Sequence, residues 1–329
     1  MRPRIYITQP VAASAIERLR AVADVELNPD TLHKVTKAEL LEKVPHLDIL
    51  FCLLHDMVDR DVIAAGKRLR AIASMKITPS DIDVPEATAR RIPVTVIAPI
   101  VTEATADVHF ALLLAVARRV FEGDQLVRAG IFPGAQSAHL LGAWVYGKTI
   151  GLIGGGGRIG KAVAKRAQGF SMRTLYWTPR RKPESEEREA GLTYVPYDQL
   201  LAESDFVSVH APLTPETRHL VGERELRLMK PTAFLVNTAR GPIVEEKALV
   251  RALAERRIAG AGLDVFENEP EVEPELLKMR NVVLTPHLGS AVTQLRESMA
   301  NVVADNIIAV LEGRQPPNCW NAEIYASSK

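Results

Sequence analysis

A glycine-rich segment in the middle of the chain has the spacing of a nucleotide-phosphate site. It contains Gly155-x-Gly157-x-x-Gly160, directly after the apolar run 149–153 and directly before a helical pattern of apolar residues. Glycine permits a tight turn and the close approach of a pyrophosphate, whose charge is met by free N–H groups at the start of the helix. In this context the motif predicts dinucleotide binding; the alternative is a purely structural turn.

The end of the following strand indicates which dinucleotide is bound. Thr178 stands where an acid is expected for NAD, and Arg180 and Arg181 follow it. A carboxylate at this place accepts hydrogen bonds from ribose hydroxyls, whereas a guanidinium pairs with a 2′-phosphate. The pattern favours NADP(H), with NAD(H) still possible. The alternative is a solvated basic loop.

Three side chains near the ends of later strands could form one reaction site. They are Arg240 in NTARG, Glu269 in DVFENEP and His287 in TPHLGS. Taken singly, each has an ordinary explanation: a surface cation, a loop acid and a histidine that caps a strand. In a doubly wound sheet, however, ligands bind beyond the carboxyl ends of the strands, so these side chains can converge on one crevice.

Short β-branched runs alternate with helical periodicity, which predicts an α/β fold with parallel sheets. The runs 4–8, 48–53 and 69–75 predict strands of a smaller, flavodoxin-like substrate (lid) domain. Six later strands predict a doubly wound, Rossmann-type cofactor domain; they are 149–153, 174–177, 206–210, 233–237, 261–265 and 281–285. We predict helices over 103–120 and 295–311, the latter returning to the first domain, and a solvated loop over the charge run 180–189. The predicted boundaries are 1–99 with 292–329 for the lid and 100–291 for the cofactor domain.

Composition limits the classes of function. The 329 residues suggest two domains. With 41 Lys+Arg against 40 Asp+Glu, no global field recruits nucleic acid or an anionic membrane. Two distant cysteines, Cys52 and Cys319, form neither a disulfide framework nor a zinc site, so we expect no metal. The longest apolar stretch, 110–116, is too short to span a membrane, and we expect a cytoplasmic protein.

The chain resembles the D-isomer-specific 2-hydroxyacid dehydrogenase family, which includes glyoxylate and hydroxypyruvate reductases. The resemblance spans nearly the whole chain and is strongest over 101–290. It is carried by VTEATAD, YGKTIGLIGGGGRIG, VSVHAPLTPETRHLV, FLVNTARGPIVEEKAL, GAGLDVFENEP and NVVLTPHLGSA. The stretch LYWTPRRKPE is most similar to the NADP-using glyoxylate and hydroxypyruvate reductases.

The resemblance implies a role for each candidate residue. His287 would donate or accept the proton of the substrate oxygen, Glu269 would hold the other ring nitrogen, and Arg240 would bind the substrate carboxylate. We expect His210 to pack beneath the cofactor rather than to transfer a proton. The resemblance also implies that a homodimer forms through the cofactor domain. Further cofactor contacts would come from Thr105, Arg158, Ile159, Pro212, Thr238, Ala239, Asp264 and Ser290, with Asp264 at the position that contacts the nicotinamide carboxamide. For Thr105, a helix-cap or packing role is the alternative.

Two segments depart from the family pattern. Four consecutive glycines, 154–157, lengthen the phosphate turn by one residue. In the first domain, a family segment whose backbone amides hold the substrate carboxylate is replaced by MKITPSDIDV, where Ile77 and Thr78 would supply the amides. Lys76 adds a cation there, which is either solvated or paired with a carboxylate of the substrate.

The leading hypothesis is an NADP(H)-dependent reductase that converts a small 2-keto acid, glyoxylate or hydroxypyruvate, to the D-2-hydroxy acid. One alternative is an NAD(H)-dependent dehydrogenase of a larger or dianionic D-2-hydroxy acid. Another is a dinucleotide-sensing binding protein that resembles a transcriptional corepressor.

Overall fold

A computed structural model describes residues 2–326 of the chain and divides into two units. Within the described range, one unit comprises the residues up to Ile100 together with those from Val292 onward, and the other comprises Val101–Ala291. Each unit is built on its own parallel sheet with helices packed on it. The predicted α/β fold with a Rossmann-type cofactor domain is therefore confirmed.

The first unit has five parallel strands in the order β2-β1-β3-β4-β5, the flavodoxin-like order. The strands are β1 (Arg4–Ile7), β2 (Asp24–Leu27), β3 (Ile49–Cys52), β4 (Ala71–Ser74) and β5 (Val94–Thr95). The helices are α1 (Ala13–Val22), α2 (Lys37–Lys43), α3 (Arg60–Ala65), α4 (Val84–Ala89) and α12 (Thr293–Leu311). Helix α12 packs on α1 and β4, which returns the end of the chain to this unit.

The second unit has seven parallel strands in the order β12-β11-β10-β9-β6-β7-β8. The strands are β6 (Thr149–Ile153), β7 (Arg173–Trp177), β8 (Thr193–Tyr194), β9 (Phe206–Val209), β10 (Phe234–Asn237), β11 (Gly260–Leu263) and β12 (Val282–Leu284). The helices are α5 (Thr102–Ala117), α6 (Val120–Arg128), α7 (Arg158–Gly169), α8 (Glu184–Ala190), α9 (Tyr197–Glu203), α10 (Glu223–Leu228) and α11 (Glu246–Ala254). The strand order reverses beside β6, which puts the glycine-rich turn at the switch point where such sheets bind ligands.

The central strands are apolar on both faces because helices cover both sides of the sheet. In β10, Leu235 belongs to one hydrophobic cluster, whereas Phe234 and Val236 belong to another. Successive side chains of a strand point to opposite faces, so the two clusters are the two cores of the unit. Across the described residues, we find no helix with the length and apolar character needed to cross a membrane.

Three details of the second unit differ from the sequence-based predictions. The cofactor unit has seven strands rather than six, because Thr193–Tyr194 forms a two-residue edge strand. The helix predicted over 103–120 ends at Ala117, and a separate helix, α6, follows it. The charge run 180–189 is not a loop throughout: α8 begins at Glu184, where three glutamates in the first turn complement the helix dipole.

Candidate active site

The glycine-rich turn joins β6 to α7 at the carboxyl edge of the seven-stranded sheet. Helix α7 begins at Arg158, and its N-cap residue Gly157 offers no side chain to the first-turn N–H groups. A Cβ on Gly160 would lie 2.5 Å from the Cα of Gly155, so only glycine lets the helix approach the turn so closely. Exposed N–H groups at the start of a long helix suit a pyrophosphate. The turn therefore fits the dinucleotide that its sequence predicts.

The basic residues after β7 differ in what they contact. Both donors of Arg181, Nε and Nη2, bind the carboxylate of Glu187 at 2.8 Å. Tyr176 Oη donates to the same carboxylate at 2.6 Å, and these contacts with Arg181 and Tyr176 lower the pKa of Glu187 to about 2. The Arg180 side chain has no hydrogen bond or ion pair with any described residue, and Thr178 donates to the Arg180 carbonyl at 2.7 Å. Arg180 is thus the arginine available to a ligand.

Lys182 is a candidate cofactor residue that sequence reasoning missed. Its alkyl chain lies against the glycine-rich turn: a Cβ on Gly156 would be 2.8 Å from Lys182 Cε. Its backbone N–H donates to Tyr176 Oη at 2.9 Å, which fixes the start of the side chain. The sequence signal was present, since Lys182 directly follows the two arginines.

His287 and Glu269 form a hydrogen-bonded pair beyond β11 and β12. His287 Nδ1 lies 2.9 Å from Glu269 Oε2, and the two side chains are 23% and 17% exposed. The other carboxylate oxygen of Glu269 accepts the Phe266 N–H at 2.9 Å. Both contacts orient the acid, and the acid fixes Nδ1 of the imidazole as a donor. The arrangement can move a proton at Nε2, the ring nitrogen that Glu269 does not hold.

Asp264 organises the segment that carries His287. Its Oδ1 accepts the Leu288 N–H at 2.7 Å and the Thr285 hydroxyl at 2.6 Å, and its Oδ2 accepts the Gly289 N–H at 2.8 Å. The Asp264 carbonyl also accepts the His287 N–H at 2.9 Å. Asp264 is 1% exposed, and burial raises the pKa of its carboxyl. It therefore positions the histidine, and its predicted contact with nicotinamide stays a prediction.

Arg240 follows β10 and lies in a loop packed against the Glu269 segment. A Cβ on Gly241 would be 1.8 Å from the Phe266 carbonyl oxygen, so glycine is required for these two segments to meet. Asn237 holds the loop, because its side chain donates to the Arg240 carbonyl at 3.0 Å and accepts the Ala239 N–H at 3.0 Å. The exposed Arg240 guanidinium donates to the Ala239 carbonyl at 2.6 Å. The fold thus brings the three predicted catalytic segments to one edge of the sheet.

The remaining predicted cofactor residues have varied surroundings. Thr105 is buried, and its hydroxyl contacts the carbonyls of Val101 (2.9 Å) and Gly289 (3.2 Å), as a packing residue does. Thr238 Oγ1 is buried without a hydrogen-bond partner among the described residues. Ile159 packs against the hydrophobic core, and the Pro212 carbonyl accepts a hydrogen bond from the Thr217 hydroxyl. Arg158 is exposed, whereas Ala239 and Ser290 are half-buried.

His210 belongs to a buried chain that the sequence did not reveal. Ser208 Oγ lies 2.7 Å from His210 Nε2 and 3.1 Å from His109 Nδ1. Desolvation lowers the pKa of His210 to about 3, and the pKa of His109 falls well below its usual value for the same reason. Both imidazoles are neutral at neutral pH, which leaves His210 unsuited to proton donation.

The predicted substrate loop of the first unit follows β4. The backbone amides of Ile77 and Thr78 make no hydrogen bond with any described residue. The Lys76 ammonium, in contrast, contacts Asp81 and donates to Ser80 Oγ at 3.0 Å. The structure therefore leaves two amides available for an anion and engages the cation within the loop.

Comparison with known proteins agrees with this geometry. A family model described as D-isomer specific 2-hydroxyacid dehydrogenase, NAD binding domain, matches residues 110–289. The chain is 47% identical to the glyoxylate reductase of Thermococcus litoralis over 332 residues, which covers 100% of this chain and 99% of the relative.

Solved structures give the same result. The TT0316 protein of Thermus thermophilus is 42% identical with a TM-score of 0.88, over 96% of this chain and 99% of that one. An NADPH-dependent glyoxylate/hydroxypyruvate reductase of Sinorhizobium meliloti, in complex with NADP and malonate, is 31% identical with a TM-score of 0.76, over 97% of each chain.

The chain belongs to the D-isomer-specific 2-hydroxyacid dehydrogenase family. This confirms the resemblance seen in the sequence. It is accordingly an oxidoreductase whose Rossmann-type domain binds a nicotinamide dinucleotide.

Proposed function

We propose that this protein reduces a small 2-keto acid of the glyoxylate or hydroxypyruvate type to the D-2-hydroxy acid, with NADP(H) as the preferred cofactor. The observation that carries the proposal is the His287–Glu269 pair, held at 2.9 Å at the same sheet edge as Arg240 and the glycine-rich turn. The glyoxylate reductase of Thermococcus litoralis, 47% identical over the whole chain, supports the choice of substrate.

The cofactor supplies a hydride when bound. The N–H groups at the start of α7 would hold its pyrophosphate. Thr238, whose buried hydroxyl has no hydrogen-bond partner among the described residues, would contact another part of the cofactor. Asp264 keeps the His287 segment in place throughout.

His287 delivers the proton in reduction and removes it in oxidation. Glu269 accepts a hydrogen bond from the Nδ1–H group, so the proton exchanged with the substrate is the one on Nε2. The Glu269 carboxylate also stabilises the imidazolium that donates this proton. Arg240 binds the substrate carboxylate through charge-assisted hydrogen bonds and polarises the adjacent carbonyl. In the first unit, the resemblance to the family assigns the amides of Ile77 and Thr78 to a carboxylate of the substrate.

Purified protein mixed with glyoxylate or hydroxypyruvate should oxidise NADPH. Glyoxylate yields glycolate, which has no stereocentre, whereas hydroxypyruvate should yield the D-hydroxy acid, which chiral chromatography identifies. Faster turnover with NADH and a dianionic keto acid would favour the NAD(H)-dependent alternative. Cofactor binding without turnover on any 2-keto acid would favour the dinucleotide-sensing alternative instead.

The preference for NADP(H) rests on Arg180 and Lys182. Arg180 has no partner among the described residues, and Lys182 lies over the glycine-rich turn. Arg181 contributes indirectly, because Glu187 holds its guanidinium. Arg180→Ala should raise the KM for NADPH about tenfold and leave that for NADH within about twofold. The control is Arg188→Ala, on the exposed side of α8; equal effects of Arg180→Ala on both cofactors contradict the assignment.

We also propose that the protein is a homodimer formed through its cofactor unit. Large apolar side chains are exposed along one segment, the most exposed being Phe132 (75%) and Trp144 (74%). The others are Val120, Phe121, Val127, Ile131, Leu141 and Tyr146. Such a concentration marks a surface that another protein covers. In a twofold dimer, the same surface patch of both copies forms the interface, and this apolar segment can serve as that patch.

Light scattering on a size-exclusion column tests this proposal. The wild type should elute as a dimer and Phe132→Asp as a monomer. Leu32→Asp is the matched control, since Leu32 is 93% exposed but lies in the first unit. A monomeric wild type, or a dimer that Phe132→Asp leaves intact, contradicts the proposal.

A further inference from the structure

The loop after β4 contains one cation, and the loop itself neutralises it. The Lys76 ammonium forms an ion pair with Asp81 and donates to Ser80 Oγ at 3.0 Å. Ser80 in turn donates to the second oxygen of Asp81 at 3.1 Å. The Lys76 side chain is only 9% exposed and that of Asp81 26%, so water screens this pair less than an open surface pair. The charge of Lys76 is thus compensated before any ligand binds.

Backbone hydrogen bonds fix both ends of this loop. The Lys76 carbonyl accepts the Ile97 N–H at 2.9 Å, and the Asp81 carbonyl accepts the Val58 N–H at 2.8 Å. The ion pair therefore spans two anchored points and closes the short segment that carries the amides of Ile77 and Thr78. If the Lys76 ammonium lost its contact with Asp81, it would stay near those amides, because the Lys76 backbone is anchored by the Ile97 N–H.

We infer that Asp81 sets the charge preference of this loop: by neutralising Lys76, it makes the loop select monoanionic over dianionic 2-keto acids. The inference rests on the proposed function, which assigns the Ile77 and Thr78 amides to the substrate carboxylate. Coulomb energy scales with the charge of the ligand, so a free ammonium attracts a dianion about twice as strongly as a monoanion. Lys76 directly precedes Ile77 and Thr78. An anion bound at these amides would be within about 8 Å of Lys76, the Debye length at physiological salt, so salt would screen the attraction little. Lys76 then acts through its ion pair with Asp81 and does not contact the ligand directly.

Oxamate and oxalate provide a matched pair of probes, because they have nearly the same shape and carry one and two charges. Their affinities for the full-length protein with bound NADP⁺ can be measured by calorimetry, which needs no turnover. Asp81→Asn should raise the ratio of oxalate to oxamate affinity about fivefold. Ser80→Ala is the control and should leave that ratio unchanged, since it keeps both charges. An unchanged ratio in Asp81→Asn overturns the inference.

A second variant pair separates positioning from direct binding. Lys76→Met leaves the Asp81 carboxylate uncompensated, so both probes should bind more weakly and oxalate the more so. Adding Asp81→Asn removes that charge and should return both affinities to within about twofold of the wild type. If the double variant binds as weakly as Lys76→Met, Lys76 contacts the ligand directly and the inference is wrong. Lys76→Arg, which keeps the pair, should match the wild type.

The outcomes also separate this inference from the proposed function. If the wild type binds both probes with the expected changes in the variants but reduces no 2-keto acid, the proposed function fails and the charge preference of the loop stands. If the wild type reduces glyoxylate but Asp81→Asn leaves the ratio of oxalate to oxamate affinity unchanged, the proposed function stands and the charge preference of the loop is wrong. Binding of neither probe to the wild type overturns the inference. Thermal unfolding of each variant shows whether a loss reflects misfolding.

Discussion

Glu269→Gln removes the charge from the acid that holds His287 and keeps its size. Phe266 N–H donates to Glu269 Oε1 at 2.9 Å, and a glutamine oxygen can still accept that bond, so the segment should stay in place. The glutamine N–H₂, however, faces Nδ1 of His287 and cannot accept its proton. The variant therefore tests the electrostatic role of the acid rather than the fold of the loop.

The expected magnitude follows from the distance and the burial of the pair. Two unit charges 2.9 Å apart interact by about 1.4 kcal/mol even in water. Hydrogen bonds to charged groups contribute about 1.5–3 kcal/mol. Because the two side chains are only 23% and 17% exposed, the interaction should lie in the latter range. We expect kcat for keto-acid reduction to fall about 10- to 150-fold, with the KM for NADPH within about twofold of the wild type.

Steady-state rates with saturating NADPH measure this effect. Glu271→Gln, an exposed acid two residues further along, is the matched control and should change kcat little. Since Glu269 acts through His287, the double variant His287→Ala/Glu269→Gln should be as slow as His287→Ala alone. A kcat for Glu269→Gln within about twofold of the wild type refutes the reasoning, and so do effects that multiply in the double variant.

Three further predictions follow from single contacts. Gly160→Ala places a methyl group 2.5 Å from Gly155 Cα, so it should lower the free energy of unfolding by about 1–3 kcal/mol and weaken dinucleotide binding; urea unfolding and cofactor titration measure both. In Asp264→Asn, one of the two oxygens that accept the Leu288 and Gly289 N–H groups becomes an N–H₂ donor, so one of these hydrogen bonds is lost. Because these bonds hold the His287 segment, kcat should fall at least about tenfold without unfolding of the protein. Because Arg181 lowers the pKa of Glu187 from 4.5 to about 2, Glu187 stabilises the fold above pH 4.5 and loses this effect as the pH falls to about 2. Glu187→Gln should flatten the acid-unfolding curve in that window, as followed by circular dichroism.

The strands of the second unit were predictable where they are buried. The predicted run 149–153 coincides with β6, and 206–210 and 233–237 differ from β9 and β10 by one residue. Parallel strands covered on both faces are continuous apolar runs, which sequence shows directly. The edge strands β2, β5 and β8 were missed, because β5 and β8 have only two residues each and the four residues of β2 are all at least partly exposed.

The location of the candidate site residues was easier to predict from the sequence than the ion pairs that the charged residues form. Arg240, Glu269 and His287 could be predicted because topology alone brings the carboxyl ends of neighbouring strands together. Arg181 and Lys76 have the right type and place for binding anions, yet each is engaged by an acid of its own unit. Which acid a cation meets depends on where a helix or turn begins, and the sequence alone does not show this for Lys76 or Arg181.

Asp264 has a structural role in addition to its predicted cofactor contact. The family resemblance assigns it to the cofactor, whereas the structure shows it holding the His287 segment through two backbone N–H groups and the Thr285 hydroxyl. Backbone donors leave no trace in the sequence, so this second role could not be predicted. An ionised carboxylate offers about four acceptor sites, and these contacts use three of them, two on Oδ1 and one on Oδ2. The predicted cofactor contact would therefore have to use the fourth site, on Oδ2, if the histidine segment is to stay in place.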